Sequence, residues 1–258
     1  MILLLSPAKS LDLNTDPPLM ERTELLFPME ADQLASRMKK KRKIEIKRLM
    51  TINDKLVDLN FDRFQNWTFP YAPESQKQAI FTFSGEVYRG LNATEFDTSD
   101  IHWAQSQLRM ISGMYGLLRP LDGMYPYRLE MGTKLKMGRK NNLYQFWGSK
   151  LSEQLNAEMA DREEDLVINL ASKEYFTAID TKVLKARVIT PEFRDWNRGE
   201  YRMIQMFVKR ARGLMARYLI QSRAAVPEDL LSFDMEGYKF SEEMSSEDKP
   251  VFIRDKNS

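Results

Sequence analysis

The chain of 258 residues is 43% hydrophobic, enough to bury the core of one large domain or two modest ones. It has no cysteine and a single histidine, His102, which argues against disulfides, thiolate nucleophiles, multi-histidine metal sites and Ser-His-Asp hydrolases. The formal net charge is only +2, so a strong positive field has to come from local clusters of cations. We predict no metal and no cofactor.

The first residues, MILLLS, are an apolar run that predicts a buried strand over Met1–Ser6, ended by Pro7. No basic segment precedes this run, and no stretch reaches the roughly 18 apolar residues of a membrane span. We therefore expect a cytoplasmic protein without a membrane partner. Between Glu30 and Asn60, apolar residues recur at helical spacing, which predicts two helices.

Strands and helices interleave along the rest of the chain, without the regular spacing of a doubly wound fold and without a GxGxxG or P-loop motif. The pattern predicts a mixed α/β (α+β) fold, with one domain over residues 1–240 and a central mixed sheet flanked by helices. The predicted elements are helices over Ser99–Ile111, Tyr144–Met159 and Val208–Gln221, strands over Asp165–Ala171, Ala186–Thr190 and Tyr201–Phe207, and an acidic, partly mobile tail over residues 241–258.

Basic residues concentrate in residues 37–48 and again in residues 103–140. Such clusters on a nearly neutral chain favour a defined anionic partner. The run over residues 37–43 is also typical of a solvated helix face, so we assign it only a secondary electrostatic role.

The motif Ser6-Pro7-Ala8-Lys9 follows the first strand directly. The carboxyl ends of strands are where sites commonly lie in α/β sheets, so Lys9 could point an ammonium group at a phosphate. It could also act as a base if burial favoured its neutral form. An ordinary exposed lysine in a loop is the alternative, and the residues alone favour it.

The segment Leu108–Gly132 combines glycines, arginines and tyrosines among apolar residues. It predicts a helix, a hairpin at Gly113 and Gly116, and a second short helix, the layout of a helix-hairpin-helix module. The hairpin amides of such a module contact a DNA phosphate without reading sequence. The glycines could instead serve only as helix caps, but the basic residues exceed what capping requires. The phosphate-binding candidates in this segment are Arg109, Gly113, Gly116, Arg119 and Arg128.

Two carboxylates, Asp122 and Glu130, lie close to Arg119 and Arg128 in the sequence. They could form an acid/base pair or a hard-cation site. They could also orient the two arginines through ion pairs, which is the interpretation we favour.

The predicted helix after Phe207 is rich in cations and includes Gly213, which permits close approach of another element. Helical spacing places Lys209 and Arg212 together on one face of the helix, and it places Arg210 and Arg217 together on another. This helix could form a wall of a basic cleft, or it could simply be a solvated helix face.

Short motifs spread from Met1 to about Phe240 resemble, in their order and spacing, the bacterial YaaA peroxide-stress family. Ser10 and Asn53 stand where threonine and serine are frequent, and Lys209-Arg210 replaces a Lys-Lys pair. The motifs are Ser6–Lys9, Asp54–Leu56, Gly85–Tyr88, Leu108–Gly116, Arg119–Asp122, Pro126–Gly132, Tyr144–Gly148, Asn169–Ser172, Glu174–Phe176 and Lys209–Met215.

The resemblance implies a cytosolic protein of the hydrogen peroxide response that protects DNA from iron-driven oxidation. It also implies a single mixed α/β domain with a helix-hairpin-helix-like element and a basic cleft that binds double-stranded DNA. The candidate DNA-binding residues are Lys9, Arg109, Gly113, Gly116, Arg119, Arg128, Lys209, Arg210, Arg212 and Arg217.

A second hypothesis is an enzyme that acts on a nucleobase, on a small anionic or phosphate-bearing ligand, or on damaged DNA. Lys9 would be its base or nucleophile, assisted by Asp122 or Glu130. An enclosed Lys9 near either carboxylate favours this hypothesis, whereas a fully exposed Lys9 favours DNA binding alone.

Overall fold

The computed structural model describes residues 1–72 and 75–255. The strands are β1 (Ile2–Leu5), β2 (Ser10–Leu11), β3 (Lys77–Gln78), β4 (Phe83–Ser84), β5 (Leu108–Ser112), β6 (Gly116–Leu118), β7 (Gly123–Met124), β8 (Leu166–Leu170), β9 (Arg187–Ile189), β10 (Glu192–Asn197), β11 (Glu200–Arg202), β12 (Tyr238–Ser246) and β13 (Lys249–Arg254). The α-helices are α1 (Pro28–Lys39), α2 (Lys43–Met50), α3 (Asp54–Gln65), α4 (Ala79–Thr82), α5 (Glu86–Leu91), α6 (Thr98–Gln107), α7 (Leu143–Trp147), α8 (Lys150–Ala160), α9 (Lys173–Phe176) and α10 (Gln205–Gln221).

A five-stranded sheet in the order β6-β5-β1-β8-β9 forms the centre of the molecule. Strands β5, β1, β8 and β9 are parallel, and β6 is antiparallel to β5. Every residue of β1, β5 and β8 is buried, as expected for parallel strands covered on both faces. The predicted mixed α/β fold is confirmed, as are the strands predicted at Met1–Ser6, Asp165–Ala171 and Ala186–Thr190.

Helix α10 packs against β1 and β8 of this sheet and against α5. Two glycines make the approach of the helices possible: a β-carbon on Gly213 would lie 1.8 Å from the carbonyl oxygen of Val87, and one on Gly90 would lie 2.2 Å from that of Arg210. The close approach predicted for Gly213 therefore occurs, and its partner is the backbone of α5.

A second sheet, in the order β11-β10-β13-β12, contains the C-terminal strands. Residues 241–254, which the sequence assigned to a partly mobile tail, lie in β12, β13 and the turn between them rather than in a separate tail. The reason is an apolar inner face, because Tyr238, Val251 and Phe252 are buried while the acidic residues of β12 are exposed or half-buried. Residue 240, the predicted domain boundary, falls inside β12. Residues 256–258 of the predicted tail lie outside the described residues.

Several predicted helices have different bounds. Residues 30–60 contain parts of three helices, α1 to α3, rather than two. The helix predicted over Tyr144–Met159 is divided into α7 and α8 at Gly148, whose φ of 54° lies outside the helical range. The strand predicted over Tyr201–Phe207 ends at Arg202, and α10 begins three residues later.

The placement of a helix-hairpin-helix in Leu108–Gly132 is wrong. Helix α6 ends at Gln107, and β5 and β6 then form an antiparallel hairpin. Residues 125–130 form neither helix nor strand. A short apolar run does not distinguish a buried helix from a strand buried on both faces, and the burial of all of β5 shows which one formed.

Among the described residues, no helix is both long enough and apolar enough to cross a membrane.

Candidate functional site

The carboxyl ends of the parallel strands β1, β5 and β8 lie at one edge of the central sheet, and polar residues follow each of them. The Ser172 amide donates a hydrogen bond to the Ser6 hydroxyl oxygen at 2.8 Å, and the Ser6 hydroxyl donates to Ser172 Oγ at 3.3 Å. The Tyr88 hydroxyl donates to the Ser6 carbonyl at 3.0 Å. We call the surface formed by residues 6–9, 127–130 and 172–175 the carboxyl-edge site.

Charged side chains converge on Glu130 in this site. Lys9 Nζ lies 3.3 Å from Glu130 Oε1, and Arg128 Nη2 lies 2.9 Å from the same oxygen. The Lys9 side chain is 63% exposed, whereas those of Arg128 and Glu130 are 15% and 14% exposed. One carboxylate therefore faces two cations, and the site keeps a net positive charge.

Tyrosines form the buried side of the same site. Tyr127 and Tyr175 line a small pocket of about 10 Å³ together with Lys9, Arg128 and Glu130. Tyr127 Oη lies 2.6 Å from Ser112 Oγ, at the end of β5. Burial raises the pKa of both Tyr127 and Tyr175, so their hydroxyls stay protonated.

Helix α10 carries four of the predicted cations, in two different environments. Arg210 pairs with Glu236, and Arg217 pairs with Glu95 at 3.0 Å. Lys209 is exposed. Arg212 is largely buried, and burial lowers its pKa. None of the described residues forms a hydrogen bond or ion pair with Arg212, so its guanidinium is free for an anionic ligand.

Arg109 does not belong to the carboxyl-edge site. It is the second residue of β5, level with Leu4 of β1, and its guanidinium turns back toward the start of the strand. Its guanidinium is buried, with Nη2 2.6 Å from Glu158 Oε2, and Nη1 donates to the carbonyls of Gln105 and Leu108. These internal partners occupy the donors that a phosphate would need.

Arg119 and Asp122 hold a turn together. The buried Asp122 carboxylate accepts hydrogen bonds from Thr23 Oγ1 at 2.6 Å and from the Arg119 amide at 2.8 Å, and it pairs with the Arg119 guanidinium at 3.0 Å. Burial raises the pKa of Asp122, and the Arg119 charge opposes this effect. Both candidate carboxylates thus pair with an arginine, and only Glu130 reaches Lys9.

Gly113 and Gly116 provide close packing rather than amides directed at a phosphate. A β-carbon on Gly113 would lie 2.3 Å from the Leu129 carbonyl oxygen, and one on Gly116 would lie 2.8 Å from the Trp147 ring. The amides of Met114 and Tyr115 donate to Ser112 Oγ within the hairpin.

Within the described residues, no three His, Cys, Asp or Glu side chains are grouped so that they could hold a metal ion.

Residues 1–244 match the family model described as "Peroxide stress protein YaaA". A curated relative, a UPF0246 protein from Paracidovorax citrulli (strain AAC00-1), is 48% identical over 255 residues, which is 98% of each chain. The chain belongs to the YaaA peroxide stress protein family. The resemblance found in the motifs is confirmed, and the family match includes the central sheet, α10 and the whole carboxyl-edge site.

The sequence motifs predicted some residues of the carboxyl-edge site and missed others. Lys9, Arg128 and Glu130 were singled out and do lie together. Ser112 and Tyr88 were missed. Ser112 could have been found as the polar residue at the end of an apolar run, had that run been predicted as a strand. Tyr88 was noted only as part of the Gly85–Tyr88 motif and not as a site residue, because its contact with Ser6 spans 82 positions of the sequence.

Proposed function

We propose that this YaaA-family protein binds the phosphates of duplex DNA at the carboxyl-edge site, as part of the response to hydrogen peroxide. The observation that carries the proposal is the arrangement of Lys9 and Arg128 around the single carboxylate of Glu130, which leaves positive charge at the sheet edge. Contacts of lysine and arginine with phosphates hold DNA without reading its sequence.

The cations available for this role are fewer than the sequence indicated. Lys9, Arg128, Lys209 and Arg212 remain, because Lys209 is exposed and Arg212 is without a partner among the described residues. Lys9 and Arg128 are two cations facing one carboxylate, whereas each of the other four predicted arginines is neutralised by its carboxylate partners: Arg109, Arg119, Arg210 and Arg217. Protection from iron-driven oxidation would then follow from coverage of DNA, since a chain without cysteine has no thiol to reduce peroxide.

The proposal is tested by fluorescence anisotropy with two duplexes of unrelated sequence and the Arg128→Ala and Arg212→Ala variants. Each variant should lose roughly tenfold to a hundredfold in affinity for both duplexes alike, since a hydrogen bond to a charged group contributes about 1.5–3 kcal/mol. Arg194→Ala is the matched control, because Arg194 is partly buried and paired with one carboxylate in the second sheet. Unchanged affinity in both the Arg128→Ala and the Arg212→Ala variant, with thermal melting preserved, would contradict the proposal.

One contact favours a second function, an enzyme that uses Lys9 on damaged DNA or on a small phosphate-bearing ligand. Lys9 Nζ lies 3.3 Å from Glu130 Oε1, a carboxylate that could accept a proton from the amine. The large exposure of Lys9 weighs against it, because nucleophilic lysines are usually desolvated.

Borohydride trapping on duplex DNA with an abasic site separates the two functions. A lyase gives a covalent adduct that is lost in Lys9→Arg, a variant that keeps the positive charge but forms no Schiff base. A pure DNA binder gives no adduct, and its Lys9→Arg variant binds duplex DNA as the wild type does.

A further inference from the structure

A second cleft lies beside the carboxyl-edge site, between β4, α5 and the loop before the next helix. Its volume is about 170 Å³, and it opens to solvent. Phe83 and Tyr88 belong to its apolar lining, and their rings lie 5.2 Å apart. Its polar lining includes Asp12, Arg89, Asn92 and Thr94. Phosphate binding at Lys9 and Arg128 makes no use of these groups.

The cleft and the carboxyl-edge site share one wall. The Tyr88 ring lines the cleft, while its hydroxyl donates to the Ser6 carbonyl, where the carboxyl-edge site begins. The ring centroid of Phe83 lies 6.4 Å from that of Tyr127, which lines the pocket on the other side. At the rim, a β-carbon on Gly85 would lie 3.8 Å from Ala8 Cβ. The cleft and the carboxyl-edge site therefore adjoin at the rim, where Gly85 of the cleft meets Ala8 of the site.

The groups that line the cleft fit a flat ring with polar edges. Aromatic and apolar side chains bind the faces of nucleobases, and amide, hydroxyl and charged groups bind their edges. Asn92 has both a donor and an acceptor, Arg89 has donors, and hydrogen bonds from Thr15 keep Asp12 as an ionised acceptor by lowering its pKa to about 2. Asn92 has a left-handed backbone at the end of α5, and its Oδ1 accepts a hydrogen bond from Thr94 Oγ1 at 3.2 Å.

We propose that this cleft holds the base of a nucleotide whose phosphate lies at Lys9 and Arg128. The inference rests on the proposed function only in that the phosphate site is the same. The nucleotide is either free in solution or an unpaired nucleotide within DNA, since both present one base and one phosphate joined through a sugar. The cleft supplies the contacts to the base, and the carboxyl-edge site supplies the charge for the phosphate.

Calorimetric titration tests whether the base and the phosphate bind at these two places. The ligands are the four deoxynucleoside 5′-monophosphates, the matching deoxynucleosides and inorganic phosphate. At least one monophosphate should bind roughly tenfold tighter than its nucleoside and than phosphate alone. Lys9→Ala should reduce the affinity for the monophosphate to that for the nucleoside. Monophosphates that bind no tighter than phosphate would overturn the inference.

Asn92→Gly tests the cleft itself, because glycine accepts the left-handed backbone and the fold is retained. It should abolish nucleoside binding and leave phosphate binding unchanged. Thr51→Gly is the matched control, since Thr51 has the same backbone conformation at the end of α2. Nucleoside binding that survives in Asn92→Gly, or is lost equally in Thr51→Gly, would overturn the assignment of the cleft.

A duplex with one unpaired nucleotide, compared with the fully paired duplex, identifies the source of the nucleotide. A preference for the unpaired form that disappears in Asn92→Gly supports DNA as the source, and monophosphate binding without such a preference supports free nucleotide. If the protein binds paired duplex but shows neither monophosphate binding nor this preference, the inference is overturned and the proposed function stands. If it binds a monophosphate but no duplex, the proposed function is overturned and the inference stands.

Discussion

At the residue scale, Glu130 determines how much positive charge the carboxyl-edge site presents. Its carboxylate pairs with both Lys9 and Arg128, so an anionic ligand has to compete with Glu130 for the two cations. The sequence showed these three residues but not that one carboxylate serves both cations. It also gave no sign that Arg109 pairs with Glu158, because that partner lies 49 positions away.

Glu130→Gln should therefore bind duplex DNA more tightly than the wild type. The substitution removes the competing negative charge and keeps the shape of the side chain, so both cations become available to phosphate. We expect an increase in affinity of roughly tenfold, measured by anisotropy at low salt. Weaker binding in this variant would show that Glu130 itself contacts the ligand. If the protein is a lyase, the same variant should lose the trapped adduct.

Glu158→Ala should strongly destabilise the fold, because it leaves the buried Arg109 guanidinium without its carboxylate. Breaking a buried ion pair costs about 3–5 kcal/mol of the free energy of unfolding, which urea denaturation measures. Glu200→Ala is the control: its pair with Arg202 is more than half exposed, and its loss should cost about 1 kcal/mol or less. Equal effects in the two variants would show that Arg109 is not held by Glu158.

At the element scale, the close packing of α5 and α10 sets the position of the helix that carries Lys209 and Arg212. Gly213 was expected from the sequence to permit close approach, but the identity of the approaching element was not predictable, since α5 lies more than a hundred residues earlier in the chain. In the hairpin of β5 and β6, the role of the glycines itself was not predictable. Its glycines were noticed, but their packing against Leu129 and Trp147 depends on tertiary contacts that no local pattern reveals.

Gly213→Ala should destabilise the protein by about 3 kcal/mol or more, because its β-carbon overlaps the backbone of α5 and the helices have to separate. The same shift should weaken duplex binding, since Arg212 directly precedes Gly213 in the helix. Gly138→Asn is the control, because Gly138 has open space around it and a φ of 58° that asparagine tolerates. Thermal denaturation compares the two variants, and an unchanged melting temperature in Gly213→Ala would contradict the packing of these helices.

The C-terminal strands offer a second prediction at this scale. Phe252 is fully buried and stacks on Phe193 at 5.7 Å, so Phe252→Ala should cost about 3–5 kcal/mol in urea denaturation. Phe69→Ala, at an exposed phenylalanine, should cost far less. If residues 249–254 formed a mobile tail, Phe252→Ala would have no effect on the free energy of unfolding. The result therefore shows whether these residues form a strand of the second sheet or a tail.

At the scale of the whole molecule, the class of fold was predictable from the sequence and the assembly of the site was only partly so. Apolar runs identified β1 and β8, and the motif that follows each one lies at the expected edge. The order β5-β1-β8 was not predictable, because long crossovers join parallel strands and local pattern does not say which strands become neighbours. Arg109 and Arg128, close in the sequence, have different carboxylate partners and do not belong to one site.

The salt dependence of duplex binding tests the central claim most directly, that the carboxyl-edge site contacts DNA phosphates. The logarithm of the affinity should fall linearly with the logarithm of the salt concentration, and Lys9→Ala should reduce the slope by about 0.9, the value for one phosphate contact. Lys239→Ala, at a lysine of similar exposure that is also paired with one carboxylate, should leave the slope unchanged. A slope that is the same in the wild type and in Lys9→Ala would contradict the account.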